Sequence, residues 1–173
     1  MPPYLSSNGI EPLILRYHAN GIIVDTNLLL LLLFGLIDSM NLKRFKCVAK
    51  YEESDFKSVY KLVSCFSPIV VTPQILAELT NLVKVSEAEE KKLLLSVTSL
   101  LKNAREKYFA KNILIDEPSF VKLGFTDVTI LRAARKRRLL VITEDLQLTL
   151  ALRRESCDVL NLNDIRTQQW LNS

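Results

Sequence analysis

An α/β domain with a mainly parallel central sheet and helices on both faces is the fold this sequence predicts. Three observations lead there. Short runs of branched apolar residues (IIV, IVV, LLVIT, VLNL) punctuate the chain. They lack the polar alternation of a half-exposed strand, as expected of parallel strands covered on both faces. Between them lie longer segments with apolar residues at helical spacing, and strands alternating with helices indicate crossover units and a parallel sheet.

The elements follow in chain order. Residues 1–20 are expected to be an irregular lead-in to a domain spanning 21–165, with 166–173 as a short tail. Ile22 to Val24 is a buried strand. The run LLLLLLFGLI, Leu28 to Ile37, then fits a buried helix extending towards Met40. A cationic segment (Lys43, Arg44, Lys46, Lys50) leads to a helix from Glu52 to about Phe66. Ile69 to Val71 is a strand. Thr72 is placed to cap the next helix and Pro73 to occupy its first position, where a missing N–H costs nothing. Ser86 and Glu89 form a capping-box pattern. Beyond it Leu94, Val97, Leu101, Ala104 and Tyr108 suggest one long amphipathic helix. The segment KNILIDEPSFVKLG is expected to be loop, and Thr126 to cap a helix through about Arg137. Leu139 to Thr143 is a strand, DLQLTLALRRE a helix, and DVLNL a last short strand.

Composition narrows the chemistry. The chain has 173 residues, a length suited to one domain. Leu fills 32 positions, and hydrophobic residues make up 49%. The Leu28 to Ile37 run is too short to span a bilayer, which takes about 20 apolar residues, and Asp25 and Asp38 flank it. The expectation is no membrane insertion and, with no secretory pattern at the start, a cytoplasmic location. Cys47, Cys65 and Cys157 are widely spaced, and His18 is the one histidine. That argues against a disulfide framework, a zinc site and His-based nucleophilic catalysis. The net charge of +4 and pI near 9.0 suit an anionic partner without proving one.

Four acids stand where ligands gather in open α/β sheets, outside the carboxyl ends of the strands. Asp25 follows the first strand and Asp145 follows LLVIT. Glu78 lies two turns into the helix leaving IVV, and Asp127 opens the helix before LLVIT. Carboxylates sharing a small volume repel unless a cation compensates them, and an oxygen-only set suits Mg²⁺ or Mn²⁺. Such an ion can support phosphodiester hydrolysis without a side-chain nucleophile. Each acid also has a plainer reading as helix cap, turn or solvated surface.

The segments IIVDTNLLL, VVTPQILAEL, GFTDVTILRAA and LLVITED together resemble the PIN domain family of metal-dependent ribonucleases, over residues 21–163. The D-x-N at the end of the first strand matches Asp25 and Asn27. The family's helix Glu falls on Glu78, its second-half Asp on Asp127, and the Asp of its T-x-D motif on Asp145, preceded by Thr143. The resemblance implies an Mg²⁺- or Mn²⁺-dependent endoribonuclease with Asp25, Glu78, Asp127 and Asp145 as metal-binding catalytic acids and Asn27 and Thr143 in support. It further implies RNA as substrate, pairing as a homodimer, and, if the chain is a toxin, a controlling antitoxin partner. The stretches 38–68 and 86–124 are long for a minimal toxin, and Leu-Gln-Leu follows T-E-D where members often carry a basic residue and an aromatic. Glu144, Asp116 and Asp164 are further acids with ready explanations as turn, cap or surface.

Lys43, Arg44, Lys46, Arg132 and Arg135 are the candidate RNA-contacting cations. The cluster from Arg132 to Arg138 ends a helix whose start carries Asp127, so it is expected up to about 15 Å from the acids, where pairing with the helix dipole is an equal explanation. Two alternatives stand beside the nuclease: another Mg²⁺-dependent phosphoesterase, weakened by Asn27 where a second acid would serve, and a non-catalytic PIN-like RNA-binding or assembly module.

Overall fold

A computed structural model describes residues 10–82 and 87–171. Helix α1 (Glu11–Tyr17) precedes strand β1 (Ile22–Val24), which runs into α2 (Thr26–Asp38) and a 3₁₀ segment (Ser39–Arg44). Helix α3 (Glu53–Val63) leads to β2 (Ile69–Val71), α4 (Pro73–Leu82), α5 (Glu87–Lys102) and β3 (Arg105–Glu106). The second half comprises α6 (Lys111–Ile115), α7 (Phe120–Ala134), β4 (Leu140–Thr143), α8 (Leu146–Arg154), β5 (Val159–Asn161) and α9 (Leu162–Leu171).

The five strands form one all-parallel sheet in the order β3-β2-β1-β4-β5, with helices on both faces. Ile22, Ile23 and Val24 of β1 align with Leu140, Val141 and Ile142 of β4, and Ile22 and Ile23 align with Ile69 and Val70 of β2. The chain builds outward from β1 through β2 to β3, then crosses to the other side for β4 and β5. The reversal lies between β1 and β4. At such a switch point the loops leaving the two strands diverge and open a crevice at their carboxyl ends.

The leucine run is core. Leu28 through Phe34 are 0–4% exposed, and the run packs against α3, α4, α5 and β4. The stretch Thr26–Arg44 has the length and hydropathy to cross a membrane, yet 56% of its most apolar window is buried inside the protein. Gly35 allows the tightest of these contacts, because a Cβ there would lie 2.0 Å from the Phe56 ring. Glu52 and Asp55 cap α3 reciprocally, and Thr72 Oγ1 accepts the Ile75 N–H at 3.3 Å to cap α4. Both caps satisfy amide donors that a helix start leaves without intrahelical partners.

Several expectations are corrected. The lead-in is not wholly irregular, since α1 occupies Glu11–Tyr17 and Tyr17 is fully buried, its hydroxyl donating to Asp158 at 2.8 Å. The long amphipathic helix ends at Lys102, and a fifth strand follows. Tyr108 and Leu94 are exposed rather than inward-facing. Ser86, and with it the expected capping box, lies outside the described residues. KNILIDEPSFVKLG is largely helical: it contains α6 and the first turn of α7. Helical residues therefore precede Thr126, and Gly124 breaks α7 with φ 79°, so that a fresh helical stretch starts just before Asp127. That left-handed φ is one that glycine adopts without the steric penalty other residues meet. Residues 166–171 belong to α9, where Arg166 grips Asp55 at 2.7 and 2.8 Å.

Candidate metal centre

Asp25 ends β1 and caps α2. The parallel ladder continues one residue past the strand, with the Asp25 N–H donating to Ile142 O at 3.0 Å, which places Asp25 beside the end of β4. Its Oδ1 accepts the N–H groups of Asn27 at 2.7 Å and Leu28 at 3.4 Å, and its Oδ2 accepts the Thr143 hydroxyl. The side chain is buried. Burial pushes its carboxyl above the usual range, the Glu144 charge adds to this, and the Thr143, Asn27 and Leu28 donors offset only part.

Asp145 caps α8 in the same manner, its Oδ1 accepting the Leu148 N–H at 2.7 Å. Its own N–H donates to Thr143 Oγ1 at 2.9 Å, so one hydroxyl links the two aspartates. Glu78 enters from α4, where its Oε2 accepts the Thr26 hydroxyl at 2.8 Å. Thr26 is the first residue of α2, directly after Asp25. A second hydroxyl pair, Thr72 and Thr129 at 3.0 Å, ties the start of α4 to α7 two residues beyond Asp127.

Asp127 registers the company of the other three. Its carboxyl is pushed up to about 7, first by burial and then by the charges of Asp145, Asp25 and Glu78. Four acids from four separate segments thus share one electrostatic neighbourhood at the switch point. Ion pairs among the described residues involve other acids: Asp38, Glu52, Glu53, Asp55, Glu117, Glu144, Glu155, Asp158 and Asp164. None of those pairs includes Asp25, Glu78, Asp127 or Asp145.

The cluster is loose. Among the described residues no three His, Cys, Asp or Glu side chains converge closely enough to hold one ion as they stand. The donor set is nevertheless all oxygen, and Mg²⁺ retains several waters while taking only one or two carboxylates directly. The residues fit that mode of binding better than a closed protein cage. Asn27 contributes its backbone N–H to Asp25, whereas Thr143 contributes its side chain.

The remaining acids serve elsewhere. Glu144 accepts hydrogen bonds from Lys50 and from the Tyr51 hydroxyl, the latter at 2.5 Å. Asp164 pairs with Arg153 at 2.8 Å, and Asp116 closes the end of α6. Lys50, part of the cationic segment the sequence marks, and Tyr51 neighbour the site through Glu144, and Thr26 is the site neighbour that sequence reasoning missed. Thr26 carried a usable signal, a hydroxyl one residue after the strand-end aspartate.

The candidate RNA-contacting cations divide into two groups. Arg132 and Arg135 both engage Glu117, a buried acid, with Arg135 bidentate at 2.6 Å and also held to Glu155 at 2.5 and 2.8 Å. Burial alone would raise the Glu117 carboxyl, but the two guanidiniums more than offset it and hold it below the usual range. Those two arginines are thereby committed to joining α7 to the loop before it and to the end of α8. Lys43, Arg44 and Lys46 sit on the exposed segment after α2, Lys43 3.4 Å from Glu52 and Arg44 3.5 Å from Asp38. Lys43, Arg44 and Tyr51 line an open cavity of about 630 Å³. Tyr51, through Glu144, connects that cavity to the strand end bearing Asp145.

No family model, curated protein or solved structure matches this chain.

Proposed function

We propose that the chain is a PIN-like, metal-dependent endoribonuclease whose centre is Asp25, Glu78, Asp127 and Asp145. One observation carries this reading: four acids that the PIN resemblance singles out, one buried (Asp25), two half-buried (Glu78 and Asp127) and one exposed (Asp145), share an electrostatic neighbourhood at the sheet's switch point, without Lys or Arg ion-pair partners among the described residues. Mutual repulsion of this kind disfavours the ionised forms unless a cation is bound. Either Mg²⁺ or Mn²⁺ answers the oxygen-only donor set. When bound, the ion would lower the pKa of an attacking water and offset charge on the scissile phosphate.

The chain's own groups have distinct tasks. Thr143 orients Asp25 and Asp145 relative to each other, and Thr26 holds Glu78. Ionised Asp127 can accept a proton from a water as that water adds to phosphorus, the bond to the leaving ribose oxygen breaks, and that oxygen takes a proton from solvent. Lys43 and Lys46 supply phosphate contacts along the strand's approach. A cytoplasmic location, a homodimer and a silencing partner protein belong to the same proposal.

A second reading is a non-catalytic PIN-like module for RNA binding or assembly. It is favoured by the looseness of the cluster and by the helix-capping work that Asp25 and Asp145 already do. Incubating the protein with single-stranded RNA, DNA and a small phosphoester, each with Mg²⁺, with Mn²⁺ or with chelator, separates the readings. Metal-dependent cleavage of RNA alone supports the nuclease. Cleavage of only the small ester indicates a different phosphoesterase, and binding without cleavage indicates the module.

A further inference from the structure

Away from the acidic centre, a second cavity of about 350 Å³ opens beside the starts of β1 and β4 and the edge strand β3. Arg105, Lys107 and Arg138 line it together with one acid, Glu106, and Val70 and Leu139 form an apolar floor. Successive residues of a strand point to opposite faces, so Arg105 and Lys107 share one face of β3. The ladder extends through Lys107, whose N–H donates to Val71 O at 2.9 Å. Its Nζ donates to Ala133 O on α7 at 3.2 Å, which keeps the ammonium on the α7 side of the sheet.

We propose that this cavity is an anion site for the phosphate groups of a small phosphorylated ligand, of nucleotide or inorganic diphosphate class. Three cations meet there, and none of the ion pairs among the described residues uses Arg105, Lys107 or Arg138. Elsewhere on the molecule comparable cations, such as Arg16, Arg135 and Arg166, each hold a carboxylate. Burial, and then the neighbouring Arg138 charge, hold the Lys107 ammonium below its usual range. Two guanidiniums offer bidentate donors matched to phosphate oxygens, and the ammonium adds a point charge. The volume lies within the range of small-ligand pockets, about 300–1,000 Å³. The site is distinct from the acids of the proposed nuclease and would function whether or not those acids bind metal.

The test is calorimetric titration with sodium pyrophosphate and with AMP, in chelator so that the acidic centre contributes no metal. Saturable, one-to-one binding by either probe is expected in the full chain and unchanged in Asp25→Asn. Lys107→Met and Arg138→Gln should each weaken it by about tenfold or more, the loss expected when a charged hydrogen-bond donor is removed. Arg138 is exposed, so Arg138→Gln carries the test if Lys107→Met fails to fold. Absence of saturable binding at millimolar probe, equal binding by both variants, or binding of an RNA oligonucleotide with neither small probe would each overturn the proposal.

Discussion

The Thr143 hydroxyl donates to Oδ2 of Asp25 across 118 positions of sequence while accepting the Asp145 N–H. Because β1 and β4 are neighbours, one small side chain fixes the spacing of two aspartates on different strands. Thr143→Val keeps the shape and removes both bonds. Chemical denaturation should show a loss of about 1–3 kcal/mol, the cost of leaving buried polar groups unsatisfied. Mn²⁺ affinity should fall with it, whereas Thr143→Ser should retain most of both.

Asp127 makes stability depend on pH in an unusual direction. Its folded carboxyl titrates at about 7 against about 3.9 in an unfolded chain, so the folded state binds the extra proton between these values. In chelator, its contribution is fully present below about pH 4 and is lost as pH rises through about 7. Thermal melts from pH 4.5 to 8 should therefore decline less steeply for Asp127→Asn than for the parent. Added Mn²⁺ favours the ionised acids, so its stabilisation should grow over the same range. Indistinguishable slopes for parent and variant would count against the assignment.

Asp55 acts with the opposite sign. Burial pushes its carboxyl up, but the Arg166 guanidinium and the Glu52 N–H more than offset this and hold it below the usual range. Its contribution is present above about pH 4, the unfolded value, and is lost as pH falls through the folded one. Arg166→Gln should cost about 1–2 kcal/mol at pH 7, moderated by the partial exposure of the arginine, and should shrink that acid-side loss. Urea titrations at pH 3.5 and 7 check both effects.

Gly35 is a packing requirement of the leucine helix. Gly35→Ala forces the new methyl into the Phe56 ring, and overpacking of this kind costs about 1–3 kcal/mol. Phe56→Leu in the same chain should recover part of the loss. A double-mutant cycle that shows simple additivity would contradict the contact.

What could be read from the residues follows from where burial leaves a pattern. β1, β2, β4 and β5 are branched, apolar and bounded by polar residues, so each was legible. β3 was not, because Arg105 and Glu106 are two exposed, charged residues at a sheet edge, and charge there disfavours pairing with another chain without marking a strand. The break at Gly124 went unread because a single glycine within a helical pattern does not announce a left-handed φ. The four acids could be picked out by motif and by strand end, but their gathering depends on β1 lying beside β4, which no local pattern encodes. Arg132 and Arg135 show the converse. A basic run looked like an interface, while the acid that occupies them, Glu117, lies 15 and 18 residues earlier in an unpatterned segment.

The central claim is that Asp25, Glu78, Asp127 and Asp145 act as one metal site, and Mn²⁺ titration followed by electron paramagnetic resonance tests it most directly. The account predicts saturable uptake by the parent chain, weakened about tenfold or more in Asp25→Asn and in Asp127→Asn while both variants keep the parent's circular dichroism. Uptake that never saturates, or that is equal in the parent and in both variants, would contradict it.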